Sequence, residues 1–326
     1  MDLLRDADID PAPLAGKRVA IIGFGNQGRA QALNLKDSGI DLVVGLRPGS
    51  GSTAEVEHAG IAHLAPVDAA NGADLIMLLA PDETLAEIYL ELEPHIRNGA
   101  ALGFSHGLAI RFGLIEPRRD LDIILVAPKG PGTALRSLYQ EGRGMVALWA
   151  VAQDASGSAR ELALAYGAAI GCARAGLIGS TFAEECDADL FNEAAVVWGA
   201  VPEILIAGFD TLVAGGISPE VAFMECVGEL KLLAELVDAR GIAGMRQAIS
   251  NTAELGATLG GPRIVDDSIR TRMADILGSI RNGEFAEQLA QEYRENYPRL
   301  KAARAGARES GIERAGAEIA ALNPSR

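Results

Sequence analysis

Residues 18–28 read Arg18-Val19-Ala20-Ile21-Ile22-Gly23-Phe24-Gly25-Asn26-Gln27-Gly28, and the chain continues as RAQALNLKDSG. A short apolar run that ends in G-x-G-x-x-G and passes straight into a helical pattern is the first βα turn of a dinucleotide-binding fold. The glycines permit a tight turn, close backbone approach to a pyrophosphate and tight helix packing. The helix N-terminus adds unpaired N–H groups and the positive end of a dipole. Gly23, Phe24, Gly25, Asn26, Gln27 and Gly28 are therefore the first candidate cofactor contacts.

The next strand-like run, at 41–46, ends in Arg47-Pro48-Gly49-Ser50-Gly51-Ser52. No Asp or Glu stands where NAD-binding folds place a ribose-binding acid. Arg47 is suited to clamp a 2′-phosphate, and the Ser50 and Ser52 hydroxyls can donate to it. This loop predicts NADPH rather than NADH.

Further along, RVAIIGF, DLVVGL, DLIMLLA, AALGF, DIILVA and MVALWAVA alternate with longer helical stretches. That rhythm predicts an α/β fold with a mostly parallel, doubly wound Rossmann-type sheet over residues 1–180. After Thr181 the alternation stops. Long apolar stretches such as AAVVWGAVPEILIAGFDTLVAGG predict an all-α domain over 181–326. Helices apolar on most sides must be buried deeply or covered by another subunit, so a homodimer or higher homo-oligomer is expected.

Composition narrows the partners. The 326 residues are 49% hydrophobic and 22% charged, with a formal charge of −15. An acidic mean field repels nucleic acid and anionic membrane, leaving a small-molecule substrate as the expected partner. The opening MDLLRDADID lacks a basic n-region and apolar run, and no later stretch of about 20 residues is uniformly apolar, so a soluble cytoplasmic protein is expected. Cys172, Cys186 and Cys226 have no metal-ligand spacing and read as ordinary buried thiols.

Two carboxylate pairs stand out, Asp189/Glu193 in DADLFNE and Glu225/Glu229 in ECVGE. Positions i and i+4 are neighbours on a helix, so each pair faces one way. The apolar neighbours Leu190, Phe191, Ala194, Ala195, Val196, Val197 and Trp198 predict that the first pair is sheltered, and Phe223, Met224, Cys226 and Val227 predict the same of the second. Sheltered carboxylates are costly without cations, and hard oxygen ligands suit Mg²⁺, which points to a dinuclear magnesium site. Lys129, in APKGPG, and His106, in FSHG, each follow a strand end, where open α/β sheets bind ligands. His58, His63 and His95 are the other histidines.

The order G-F-G-N-Q-G, LR-x-G-S-x-S, PDE, SHG, VAPKGPG, DLFNE, EC-x-x-EL and SNTAE resembles the ketol-acid reductoisomerases in their short-chain form, over nearly the whole chain. The resemblance implies a knotted helical domain, a dimer with a shared active site, NADPH and two Mg²⁺. It implies alkyl migration of a 2-hydroxy-2-alkyl-3-keto acid followed by reduction to a 2,3-dihydroxy acid, as in valine and isoleucine synthesis. By motif, Asp189 resembles the metal-bridging carboxylate, Glu193 a ligand of one ion, and Glu225 and Glu229 ligands from the partner subunit. Ser250 is similar to the residue that touches the substrate carboxylate. The resemblance also implies Asp82 and Gly132 as further cofactor contacts, and His106, Lys129 and Glu229 as the catalytic set.

Several residues depart from that family's pattern. Phe24 stands for Tyr, Asn26 for Ser, Arg29 and Gln31 for His, Leu85 for Gln, and Arg111 and Thr133 for His. Val146 stands for Pro, Gly228 for His, Ala248 for Ser, and Leu255 for Tyr. The changes at Gly228, Ala248 and Leu255 remove polar groups beside the expected ligands, which leaves two readings open: a housekeeping enzyme, or one turned to another keto or ketol acid. Pro202, inside a helical stretch, predicts a break near Trp198 to Val201.

Overall fold

The computed structural model describes residues 2–322. The chain divides into two compact units, Met1–Ala188 and Asp189–Arg326.

The first unit is built on nine strands: β1 (Leu3–Leu4), β2 (Arg18–Ile22), β3 (Asp41–Gly45), β4 (Ala62–Leu64), β5 (Leu75–Leu78), β6 (Ala101–Phe104), β7 (Asp122–Pro128), β8 (Ala147–Gln153) and β9 (Leu177–Gly179). They form one sheet in the order β1-β9-β8-β7-β6-β5-β2-β3-β4. Strands β2 to β7 are parallel, β8 runs antiparallel to β7, and β1 closes the far edge antiparallel to β9. Around them lie α1 (Asn26–Asp37), α2 (Thr53–His58), α3 (Pro66–Ala70), α4 (Leu85–Leu92), α5 (Leu108–Arg111), α6 (Gly132–Gln140) and α7 (Ala159–Ala169).

The core explains the continuous apolar runs. On β2, Val19 and Ile21 pack into one apolar layer with Leu35, Val56 and Tyr166, whereas Ala20 and Ile22 enter the opposite layer with Leu85, Tyr89 and Phe104. Met77 and Ile76 on β5, and Val126 and Leu125 on β7, divide in the same way. A parallel sheet covered on both faces needs apolar residues at every position, not alternate ones.

Helix α8 (Phe182–Phe191) runs into a π-helical turn at Asn192–Val196, and α9 (Ala200–Ala214) follows. The break falls at 197–199, just before Pro202, as that proline predicts. The second unit continues with α10 (Pro219–Phe223), a second π-helical turn at Met224–Gly228, and α11 (Leu230–Ala248). It ends with α12 (Asn251–Ile264), α13 (Asp267–Arg281), α14 (Glu284–Arg294), α15 (Pro298–Glu309) and α16 (Gly311–Leu322). One buried apolar cluster of this unit joins Phe209, Ala222, Ile312 and Ala315, flanked by Leu205, Phe223 and Val227, and Ile280 and Ala286 are buried as well.

Much of the second unit's apolar surface faces outward in the single chain. Trp198 is 65% exposed and Leu259 64%, with Leu232, Ile242, Leu255 and Ile264 also exposed. The expected shelter around the first carboxylate pair is therefore partial. Leu190 and Ala195 are buried, but Val196, Val197 and Trp198 are not. By length and composition alone, Phe182–Ala214 could also cross a membrane, its mean hydropathy reaching 1.6. Its acids Glu184, Glu185, Asp187, Asp189 and Glu193 gather at the N-terminal end, and at most two charged residues fall within its most apolar 18 residues.

Candidate active site

Five loops leave the carboxyl ends of parallel strands: residues 23–28 after β2, 46–52 after β3, 79–84 after β5, 105–107 after β6 and 129–132 after β7. The strand order reverses between β2 and β5, which is where a doubly wound sheet opens a crevice for its ligand. Gly23 adopts φ of +100°, and a Cβ there would lie 2.8 Å from the Ala80 nitrogen. At Gly28 a Cβ would fall 2.4 Å from the Gly23 carbonyl oxygen, so only glycine lets α1 start this close to the turn. Nothing lies within 4 Å of the corresponding point at Gly25, the helix N-cap, and no side chain caps it. The free N–H groups of α1 and the open space beside them suit a pyrophosphate.

In the loop after β3, Arg47 is exposed and Ser50 and Ser52 are half-buried. The Ser52 amide donates to Ser50 Oγ at 3.3 Å, and Thr53 Oγ1 donates to the Ser50 carbonyl at 2.9 Å, which folds the loop without any acid. Glu55, three residues past Ser52, pairs with Arg29 at 3.3 Å.

The loop after β7 is latched to the glycine-rich turn. Gln27 Nε2 donates to the Gly130 carbonyl at 2.9 Å, and the Thr133 amide donates to Asn26 Oδ1 at 3.1 Å. Gly132 sits so close that a Cβ would approach the Asn26 carbonyl oxygen to 2.0 Å. The substituted residues Asn26 and Thr133 thus meet each other.

Lys129 Nζ donates to Glu185 Oε1 at 2.7 Å, while Glu185 Oε2 accepts the Gly107 amide at 2.8 Å. Glu185 is 1% exposed. One carboxylate therefore holds the loops after β6 and β7 together. The sequence reading passed over Glu185, although it stands one helical turn before Asp189 and extends the same i,i+4 row.

His106 Nδ1 lies 2.9 Å from Asp82 Oδ2, while its buried Nε2 has no hydrogen bond of good geometry. Burial opposes the imidazolium charge, but Asp82, the neighbouring Cys186 sulfur and Glu185 outweigh it and hold the His106 pKa well above its usual value. Burial in turn raises the Cys186 thiol pKa, although His106 opposes that shift. Arg111 pairs with Asp187 at 3.2 Å.

In the second unit, both expected metal-binding pairs involve π-helical turns. Glu193 lies within the first and Asp189 just before it; Glu225 lies within the second and Glu229 immediately after it. Such turns are rare and recur at functional sites, because the extra residue redirects side chains. Against the expected shelter of both pairs, Glu193, Glu225 and Glu229 are exposed in the single chain and Asp189 is half-buried. Among the described residues, no three His, Cys, Asp or Glu side chains gather into a metal-sized cluster. Ser250 caps α12, its Oγ accepting the Ala253 amide at 3.2 Å.

The comparisons with known proteins agree with this layout. Residues 13–176 match the family model for the acetohydroxy acid isomeroreductase NADPH-binding domain, and residues 182–325 match that for the ketol-acid reductoisomerase C-terminal domain. A solved NADH-preferring ketol-acid reductoisomerase from an uncultured archean is 42% identical, covers 99% of each chain and superposes with a TM-score of 0.96. A semialdehyde dehydrogenase NAD-binding protein from Cupriavidus necator, 18% identical, covers 82% of this chain and 99% of its own with a TM-score of 0.62. Plasmodium falciparum pyrroline carboxylate reductase, 14% identical, covers 84% and 98% with a TM-score of 0.54. The last two share the fold alone. With both halves matched and one relative similar from end to end, the chain belongs to the ketol-acid reductoisomerase family.

Proposed function

We propose that the chain is a Mg²⁺- and NADPH-dependent ketol-acid reductoisomerase, carrying 2-acetolactate-type acids to 2,3-dihydroxy acids for branched-chain amino acid synthesis in the cytoplasm. The observation that carries this reading is the ion pair of Lys129, in the loop after β7, with Glu185 on the helix that continues to Asp189. A nicotinamide reductase needs no such row of acids; a migration between adjacent carbons does, because it must hold two oxygens together.

The donor set fits magnesium: Asp189, Glu193, Glu225 and Glu229 offer only hard carboxylate oxygens. Because one chain does not cluster them, the reading assigns Asp189 and Glu193 to one subunit and Glu225 and Glu229 to its partner in a homodimer. When bound, two Mg²⁺ would supply Lewis acidity for the substrate's hydroxyl and keto oxygens, and NADPH would supply hydride. The glycine-rich turn binds the pyrophosphate, and Arg47, Ser50 and Ser52 bind the 2′-phosphate. Against the opposing effect of burial, Asp82 helps to hold the His106 pKa well above its usual value, and through that contact His106 fixes the loop after β6. Lys129, anchored by Glu185, is the proton carrier, and Ser250 orients the substrate carboxylate.

The 42%-identical relative prefers NADH. For this chain the acid-free loop at 46–52 supports NADPH. Arg47→Ala should raise the KM for NADPH at least about tenfold and leave that for NADH nearly unchanged, as expected for a lost phosphate clamp. An equal effect on both would refute the 2′-phosphate role.

Gly228, Ala248 and Leu255 favour a second reading, a shifted substrate, since each removes a polar side chain near the proposed ligands or Ser250. Following NADPH oxidation with Mg²⁺ on 2-acetolactate, 2-aceto-2-hydroxybutyrate and 3-hydroxy-3-methyl-2-oxobutyrate separates the cases. Turnover of all three supports the bifunctional enzyme. Turnover of only the last marks a reductase without isomerisation, and turnover of none directs the search to other ketol acids.

A further inference from the structure

A buried polar chain runs beneath the crevice from α7 to the loops that carry Lys129 and His106. Tyr166 on α7 and Gln31 on α1 are both 0% exposed. The Tyr166 hydroxyl donates to Gln31 Oε1 at 2.7 Å. Gln31 Nε2 donates to Gln27 Oε1 at 3.1 Å and to Ser105 Oγ at 2.9 Å. Those two groups pass the pattern outward, Gln27 Nε2 to the Gly130 carbonyl at 2.9 Å and Ser105 Oγ to the Val126 carbonyl at 2.9 Å.

The direction of the chain is fixed by its ends. Backbone carbonyls only accept, so Gln27 must turn its amide nitrogen to Gly130 and Ser105 its proton to Val126. Each then presents an oxygen to Gln31, which must answer both with its NH₂ group. Its own oxygen is left for Tyr166. Burial keeps the Tyr166 pKa well above its usual value, so the hydroxyl remains a donor at any ordinary pH.

We infer that Gln31 is a positioning residue of the active site. Its single amide sets the spacing between the pyrophosphate turn, through Gln27, the loop before His106, through Ser105, and the loop after Lys129, through Gly130. Tyr166 serves as the fixed donor that prevents the amide from turning over. Buried networks of this kind hold their geometry because every member is satisfied and any flip strands two groups at once.

The inference rests on the crevice binding the nicotinamide cofactor, so its test reads NADPH affinity directly and needs neither magnesium nor substrate. The key variant is the double Gln31→Met, Tyr166→Phe, which removes both partners with little change of shape and leaves no buried donor stranded on either. It should keep its melting temperature within a few degrees of the parent, yet bind NADPH at least about fivefold more weakly by fluorescence titration. Acylation of Lys129 by acetic anhydride, followed by mass spectrometry, should speed up as its loop loosens. Parental affinity and parental Lys129 reactivity in a folded double variant would overturn the positioning role. If the double variant does not fold, Tyr166→Phe alone, one oxygen smaller, should still weaken NADPH about twofold or more; parental affinity there overturns the orienting role of Tyr166. Failure of the reductoisomerase reading would show separately, as a parent protein that binds NADPH but turns over no ketol acid.

Discussion

At the scale of single residues, the most consequential pair is Lys129 with Glu185. Lys129→Met would leave a carboxylate that is 1% exposed with the Gly107 N–H as its remaining described hydrogen bond and His106 as a nearby charge. The lysine side chain is 31% exposed, so the stability loss should be about 2 kcal/mol in denaturant melts, below the range for fully buried pairs. The proposed turnover should fall by at least about a hundredfold, as for loss of a proton carrier. His106 makes a second case, with a defined sign. Its folded pKa lies well above the unfolded value, so its ionic partners stabilise the fold fully below the unfolded pKa, about 6.5. That contribution is lost as pH rises through the folded pKa. The difference in melting temperature between the parent and His106→Asn should therefore be largest near pH 6 and shrink in alkaline buffer. A difference that grows with pH would contradict this account.

Elements show where sequence reading worked and where it could not. All six long apolar runs became strands, because a sheet buried on both faces writes itself as continuous hydrophobicity. The short strands β1, β4 and β9 carry two or three residues each, too few for any periodic signal, and only pairing with a neighbour makes them strands. The glycine-rich turn was legible for a different reason: its glycines are required by contacts. Gly28→Ala must force the Gly23 carbonyl away, and NADPH affinity should drop at least about tenfold in a titration while the protein still melts cooperatively. Glu185 and the Gln31–Tyr166 bond were not legible. The latter joins residues 135 apart in sequence, and no local pattern announces such a meeting. The π-helical turns were equally hidden, since an i,i+4 carboxylate pair looks the same on an α-helix.

For the whole molecule, the prediction at greatest risk is the shared site. Asp189→Ala and Glu225→Ala should each abolish proposed turnover alone, whereas co-expressed and mixed subunits should recover up to about a quarter to a half of parental activity, because some hybrid sites regain all four acids. Absence of recovery in verified hybrids would place both pairs within one chain. The outward apolar side chains of the second unit, Trp198, Leu232, Ile242 and Leu259 among them, bear on the same point. Once a second copy covers them, folding and association become linked, and water itself becomes the competitor. Dilution then acts as a denaturant: melting temperature should climb with chain concentration, and activity per chain should fade in assays run far below the dimer's dissociation constant.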